Sequence, residues 1–176
     1  MLDLDSLDEG ANQTAPRRTA SSRKASEMLT RKGKYGLKAL VYLAKLPVGD
    51  LAFVNEIASD QNIPKKFLDA ILSELRNAGF VQSRKGKDGG YRLARPATEI
   101  KVGHIVRVLD GPLAPIPCAS RTQYQPCDDC DEATCQVRHI MLDVRQAIAE
   151  VLDKRSLAEM RDAANDDVPQ ALQILA

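Results

Sequence analysis

Two groups of side chains carry the chemistry this sequence can offer. The first is four cysteines, Cys118, Cys127, Cys130 and Cys135, spaced C-x8-C-x2-C-x4-C, with no cysteine elsewhere in the 176 residues. Clustered thiolates are soft donors that suit zinc or an iron–sulfur cluster, [2Fe-2S] or [4Fe-4S], and both use about four ligands per site. A structural zinc knot, a thiol–disulfide switch and cysteines without any ligand role are the alternatives that spacing leaves open. Asp128, Asp129, Asp131 and Glu132 crowd the same stretch. Their charge raises thiol pKa values and disfavours a free reactive thiolate, a penalty that a bound cation reverses. Metal of some kind is therefore expected.

The second group is basic. In residues 64 to 79, Pro64 suits the first helical position, and Phe67, Leu68, Ile71, Leu72 and Leu75 recur at three and four residues, the period of one buried helix face. Lys65, Lys66, Asp69, Ser73 and Arg76 are left on the other face, and Gly79 ends the helix. Residues 80–84 and 91–95 read as two strands joined by Lys-Gly-Lys-Asp-Gly-Gly, a hairpin with a basic tip. Helix followed by basic hairpin is the second half of a winged helix-turn-helix. The helix would enter a major groove, with Arg84, Lys85 and Lys87 on the wing reaching phosphates or the minor groove. The plainer alternative is an amphipathic helix before a solvated charged turn.

Other elements must position these groups. Residues 1–27 begin acidic and pass into a Thr, Ala, Ser and Arg tract with little to bury, so a disordered arm is expected. Thr30 is a candidate N-cap for a first helix to about Lys45, with Tyr35, Leu37, Leu40, Val41, Leu43 and Ala44 on its apolar side. A shorter helix follows at about 51–60, with Val54, Ile57 and Ala58 inward. Thr98 is a candidate cap for a fourth helix that buries Ile100, Val102, Ile105, Val106 and Leu109, and His104 reads as a packed or surface residue. Residues 28–110 thus form the expected DNA-binding domain.

Residues 111–135 hold all four cysteines and four prolines, a loop too long to be a simple connector without something to organise it. Val137, Ile140, Met141, Val144, Ile148, Val151 and Leu152 then mark a long helix over about 134–154. Its stripe can fold back on its own domain or pack on a second copy, and a two-fold dimer would match a pseudo-palindromic site. Ser156 and Glu159 form a capping-box pattern for a last short helix. Residues 136–164 are read as dimerisation helices and 165–176 as a flexible tail. The fold class is mostly α, with a small β-hairpin wing on a winged helix-turn-helix and a long C-terminal dimerisation helix.

The net charge of +1 conceals a strong segregation, +7 over residues 11–38, +6 over 62–107 and −6 over 108–176. Attraction to phosphate depends on the local patch, so double-stranded DNA remains a fitting partner. No apolar run approaches the roughly 20 residues needed to span a bilayer, and the N-terminus lacks the apolar segment of a signal peptide. A cytoplasmic protein is expected. A thiol redox or zinc enzyme is the alternative from another class, but neither histidine has an evident base partner and the cysteine spacing is not that of a zinc hydrolase.

Residues 28–40 (Met-Leu-Thr-Arg-Lys-Gly-Lys-Tyr-Gly-Leu-Lys-Ala-Leu), Phe67-Leu68, Leu75-Arg76-Asn77-Ala78-Gly79, the wing Lys85-Gly86-Lys87-Asp88-Gly89-Gly90-Tyr91 and the downstream cysteines resemble the IscR-type winged-helix transcriptional regulators. That bacterial group includes sensors of iron–sulfur status, nitric oxide, iron and redox state. The likeness spans about 28 to 160. It implies a homodimer with crossing C-terminal helices and a cluster in the loop before each. Three cysteines ligate in cluster-binding members: here Cys118 first, Cys135 last, and Cys127 or Cys130 between. The intervals in this chain are longer than the family's usual ones, and there is one cysteine more.

One subgroup takes a histidine three residues after the last cysteine as fourth ligand. Arg138 stands there, and His139, one position on, is turned by about 100°. Another subgroup uses an acid from the partner subunit, just before the first-helix tyrosine, where this chain has Lys34. Four cysteines completing the site unaided is the remaining option. For DNA, the resemblance directs Lys65, Lys66 and Asp69 to the major groove and Lys85 with its neighbours to the wing. An acid at Asp69 could accept from a cytosine amino group or select against cluster-free binding. The expected function is a sequence-specific, homodimeric transcriptional regulator, a repressor, controlled by a cluster or by thiol redox state. The same fold with structural zinc or no metal, acting constitutively, is the alternative.

Overall fold

Thr30 starts the structure as it starts the sequence pattern. In the computed structural model, which describes residues 29–86 and 89–163, its hydroxyl accepts from the Lys32 and Gly33 amides and so caps α1 (Arg31–Lys45). The Thr30 amide also donates to Asp110 at 3.0 Å, tying the start of the first helix to the end of the fourth. α2 (Val54–Gln61) and α3 (Lys65–Asn77) follow, joined through Asn62, which takes the left-handed conformation at φ 51°. The hairpin is β1 (Val81–Arg84) and β2 (Gly90–Leu93), antiparallel with Val81 opposite Leu93 and Arg84 opposite Gly90. After a 3₁₀ turn at Ala97–Glu99 come α4 (Val102–Asp110), a second 3₁₀ turn at Pro117–Ala119, α5 (Gln136–Lys154) and α6 (Leu157–Asp162). The expected arm over 1–27, the tail over 165–176 and Lys87 lie outside the described residues.

The core forms where α1, α3, α4 and α6 meet. Leu40, Ile57, Leu68, Ile71, Leu72, Leu75, Ile100, Ile105 and Leu157 are essentially sealed from solvent, each worth about 1.5–3 kcal/mol of burial. The last of these belongs to α6, which returns to the start of α4: the Leu157 amide donates to the Ile100 carbonyl at 2.8 Å and the Val102 amide to the Arg155 carbonyl at 3.0 Å. α5 is therefore fastened at its C-terminal end to the start of α4. Arg107 of α4 reinforces the attachment with a two-pronged pair to Asp153, 2.6 and 2.8 Å.

Four details depart from the sequence pattern. The second helix begins at Val54 rather than near Leu51, because the Ala52 backbone pairs with Tyr91 and adds a bridge to the free edge of the wing (N···O 3.0 and 2.8 Å). Pro64 sits just before α3 as its cap residue instead of inside the first turn. Thr98 lies in the 3₁₀ turn, and Lys101 precedes α4 without a side-chain cap, since the Arg155 carbonyl meets the Val102 amide. Phe67, counted among the inward residues, is 44% exposed, whereas Leu68, Ile71, Leu72 and Leu75 are buried.

Candidate nucleic-acid interface and thiol centre

The free face of α3 is set by what its buried face requires. With four leucine and isoleucine side chains inside, Lys65 and Lys66 project into solvent and Asp69 is half-exposed. Lys65 pairs with Asp69 one turn on at 3.2 Å, an exposed pair worth about 0.3–0.5 kcal/mol that a stronger anion would readily displace. Phe67 meets Tyr35 of α1 edge-on, with ring centroids 5.9 Å apart. Glu74 is bound by Lys32 at 3.0 Å. The acid nearest the end of α3 is thus turned toward α1.

Gly79, at φ +77°, ends α3 and sends the chain into the hairpin. Arg84 and Lys85 stand exposed where β1 enters the tip. On the wing, Arg92 donates to Gln82 at 3.2 Å. Gly90 is where the backbone comes closest: at φ +138°, a Cβ there would lie 2.6 Å from the Ala52 carbonyl oxygen. The wing is thus held by Ala52 on one side and by its own pairing on the other, with Arg84 and Lys85 outside.

The thiol centre lies at the opposite end of the protein's last long helix. Cys135 is the N-cap of α5, its sulfur accepting from the Arg138 amide at 3.5 Å. Cys130 lies beside Cys127 and near enough to Cys135 for the thiols to influence one another's protons. Those two thiol partners push the Cys130 pKa up to about 12. A hydrogen bond to Asp129 (Sγ···Oδ1 3.0 Å) raises Cys127, while the Arg138 amide and then Cys130 lower Cys135. Cys127, Asp129 and Cys130 also place their donor atoms within 4.8 Å of one another. Cys118 is buried, 5% exposed in the 3₁₀ turn at Pro117–Ala119, whereas the other three are half-buried.

A clasp absent from the sequence reading organises the loop. Glu132 accepts from the Tyr124 hydroxyl and from the Cys127 amide at 2.9 Å, and these bonds, the first above all, hold its carboxyl below the usual range. It lies 3.7 Å from Arg138, whose Nε donates to the Cys118 carbonyl at 3.1 Å. Arg138 thus joins the buried Cys118 turn to Glu132 and, through its amide, to Cys135. His139 is exposed and forms no hydrogen bond to a thiol. The signal available in the sequence was an opposite-charge pair flanking Cys135, which spacing alone does not identify as a contact.

The donor set fits a thiolate-bound metal or cluster: the Cys127 and Cys130 sulfurs lie together with the Asp129 carboxylate, Cys135 stands close by at the start of α5, and Cys118 is tied in by Arg138. The high pKa of Cys130 is what thiols impose on one another when no cation is bound, and a metal ion inverts that preference.

The outer side of α5 has another character. Val137, Ile140, Val144 and Val151 are exposed, between 38% and 61%, whereas Ile148, Ala149 and Leu152 pack on the core of their own chain. Both uses of the stripe are therefore realised or left open on one helix. No described helix is long and apolar enough to cross a membrane.

Comparison with known proteins gives a consistent result. The family model described as Rrf2, iron-dependent transcriptional regulator, matches residues 29–163. An rrf2-like HTH-type transcriptional regulator of Rhodobacter capsulatus is 43% identical over 142 residues, covering 78% of this chain and 95% of that protein. Among solved structures, CymR (YrzC), the global cysteine regulator of B. subtilis, matches with a TM-score of 0.64 and 33% identity, over 76% of this chain and 95% of that one. IscR of T. potens matches with a TM-score of 0.62 and 31% identity, over 83% and 95%.

Proposed function

This chain belongs to the Rrf2 family of transcriptional regulators, and on that premise we propose that it is a homodimeric repressor, acting on DNA in the cytoplasm, whose affinity is set at the thiol centre. The family is one of regulators, not enzymes. The observation that carries the reading is the joining of two sites by one helix: α5 begins at Cys135 and ends fastened to the start of α4. A change in the 111–135 loop therefore acts on the end of a rigid element that is anchored in the DNA-binding module.

Lys65, Lys66 and Asp69 would face the major groove of a pseudo-palindromic operator, with Arg84, Lys85 and Lys87 on the wing contacting the backbone or minor groove. Exposed cations next to a helix held only by its inner face are what supports that placement. In the dimer the apolar outer side of α5 would be covered by its counterpart, which fits the exposure of Val137, Ile140, Val144 and Val151.

An iron–sulfur cluster bound by Cys127, Cys130, Cys135 and Cys118 would supply reversible redox chemistry and loss of metal as signals; thiol oxidation alone is the second form of the same control. The chain's own part is to hold the sulfurs. Cys135 fixes one donor to a helix end, Glu132 fixes the Cys127 amide, and Arg138 joins the Cys118 turn to α5. Such a device controls DNA only if the bound group favours one of two dimer arrangements.

The test combines metal and DNA. Protein purified without oxygen is assayed for iron, sulfide and zinc, and its binding to a palindromic duplex is measured against salt before and after cluster removal. Iron with sulfide and a change in affinity supports the reading. Zinc instead identifies a structural knot, and unaltered affinity in every thiol state rejects control at this centre. Lys66→Ala should lower the slope of log K against log salt by about one unit, and an unchanged slope would remove Lys66 from the interface.

A further inference from the structure

The inner side of α5, away from its exposed stripe, carries a feature that neither DNA binding nor the thiol centre uses. Between residues 112–122 and that side lies a cleft of about 380 Å³. Arg145 projects from α5 into its lining, and Arg121 approaches from the loop. The Arg145 Nε is buried and meets no acceptor among the described residues. Leaving a buried guanidinium nitrogen unpaired costs about 1–3 kcal/mol or more, so such a group ordinarily marks a missing partner.

The surrounding acids do not supply one. Asp153 is engaged by Arg107 through both oxygens, and Glu150 accepts from Gln146 at 3.0 Å. Neither Arg121 nor Arg145 belongs to any ion pair among the described residues. Burial first, and the charge of Arg121 second, lower the Arg145 pKa. Two unpaired guanidinium groups have thus been brought together in the part of the chain, 108–176, whose net charge is −6. Ser120 is buried at the edge of the cleft, and its hydroxyl accepts from the Gln123 amide, which leaves its proton free to donate. Leu113 and Ala149 provide apolar wall beside these donors.

We propose that this cleft is a binding site for a small organic anion, with a carboxylate or phosphate group held between Arg121 and Arg145 and a short apolar body against Leu113 and Ala149. Planar guanidinium forks match both oxyanions, and an anion between them offsets the repulsion of the two cations. The volume stands at the small end of ligand pockets, which run from about 300 to 1,000 Å³. An occupied site joins residues 120–122 to α5 just beyond Cys118.

The experiment is calorimetric titration of the full chain with inorganic phosphate, succinate and hexanoate in separate runs, in a buffer free of other oxyanions. Saturable binding of one ligand per chain is expected for at least one probe, and the probe that binds distinguishes phosphate from carboxylate. Arg145→Gln should weaken it about tenfold or more, and Arg145→Lys less. Arg121→Gln, at an exposed position, repeats the test should the substitution in α5 impair folding. The proposal is overturned if no probe binds saturably, if the folded glutamine variants bind as the parent does, or if an acidic side chain of a second copy is found seated on Arg145. None of these readouts involves DNA or metal, so failure here leaves the regulator reading standing.

Discussion

Replacing Ile140 by Asp is the sharpest test of how the outer side of α5 is used. Ile140 is 59% exposed in the single chain, so a second copy has more than half of the side chain left to bury. Full burial of an isoleucine is worth about 1.5–3 kcal/mol, which makes the exposed fraction here about 0.9–1.8 kcal/mol per copy. Two-fold symmetry counts it twice. The dimer dissociation constant should therefore rise roughly 20- to 400-fold, with carboxylate desolvation adding to that. The folded chain itself should be little affected, by about 0.5 kcal/mol or less, as for other exposed positions. Sedimentation equilibrium across a concentration series reads the dissociation constant, and thermal unfolding at high dilution reads the chain. A parent that is monomeric throughout, or a variant that dimerises as tightly as the parent, would refute the reasoning.

Three further outcomes follow from local geometry. Gly90→Ala places a Cβ 2.6 Å from the Ala52 carbonyl at a φ of +138°, so urea unfolding should show a loss of about 1–3 kcal/mol; parental stability would mean that the wing edge is not held as described. Ser156→Ala removes the cap of α6, where the serine both accepts from the Glu159 amide at 3.1 Å and donates to its carboxylate at 2.7 Å, and should cost about 1 kcal/mol, or a Tm lower by about 2–4 °C. Arg138→Ala frees the Cys118 carbonyl, so in metal-free protein alkylation of the buried Cys118 thiol should quicken about fivefold, the equivalent of about 1 kcal/mol for a partly exposed charged hydrogen bond. No acceleration would show that the clasp does not hold the turn.

The elements that could be read in the sequence are those whose own residues decide them. Leu68, Ile71, Leu72 and Leu75 repeat with the helical period and are all buried, and Thr30 and Ser156 cap the helices they precede. Where a distant group intervenes, local reading loses its hold. Ala52 lies in a stretch that patterns as helix, but Tyr91 takes its backbone into the wing edge. Phe67 has the spacing of an inward residue and turns instead to Tyr35, because the leucines and isoleucines already fill the interior. Thr98 has a capping side chain that is not used, since a carbonyl 53 residues beyond Val102 supplies that partner.

The candidate sites divide in the same way. Cysteine spacing pointed to the loop, but that Cys127 and Cys130 meet with Asp129 between them depends on how the loop folds. Glu132 and Arg138 carry no motif; their importance arises from meeting Cys127 and Cys118 across the turn. Arg145 sits among ordinary helix-surface residues, and only packing shows that its Nε has been buried.

The attachment of α5 has a mechanical meaning. Its C-terminal end is riveted to α4 by the Val102–Arg155 and Ile100–Leu157 hydrogen bonds and by the Arg107–Asp153 fork, while its other end carries Cys135. A 19-residue helix is roughly 28 Å long at about 1.5 Å per residue, so a tilt of about 5° at the rivet sweeps the thiol end through about 2.5 Å. The gearing is reciprocal. A shift of atomic size at the Cys135 end thus corresponds to a few degrees of rotation at the joint with α4, and the rigidity of that joint, more than the strength of any contact along the shaft, sets how much of such a motion survives the distance.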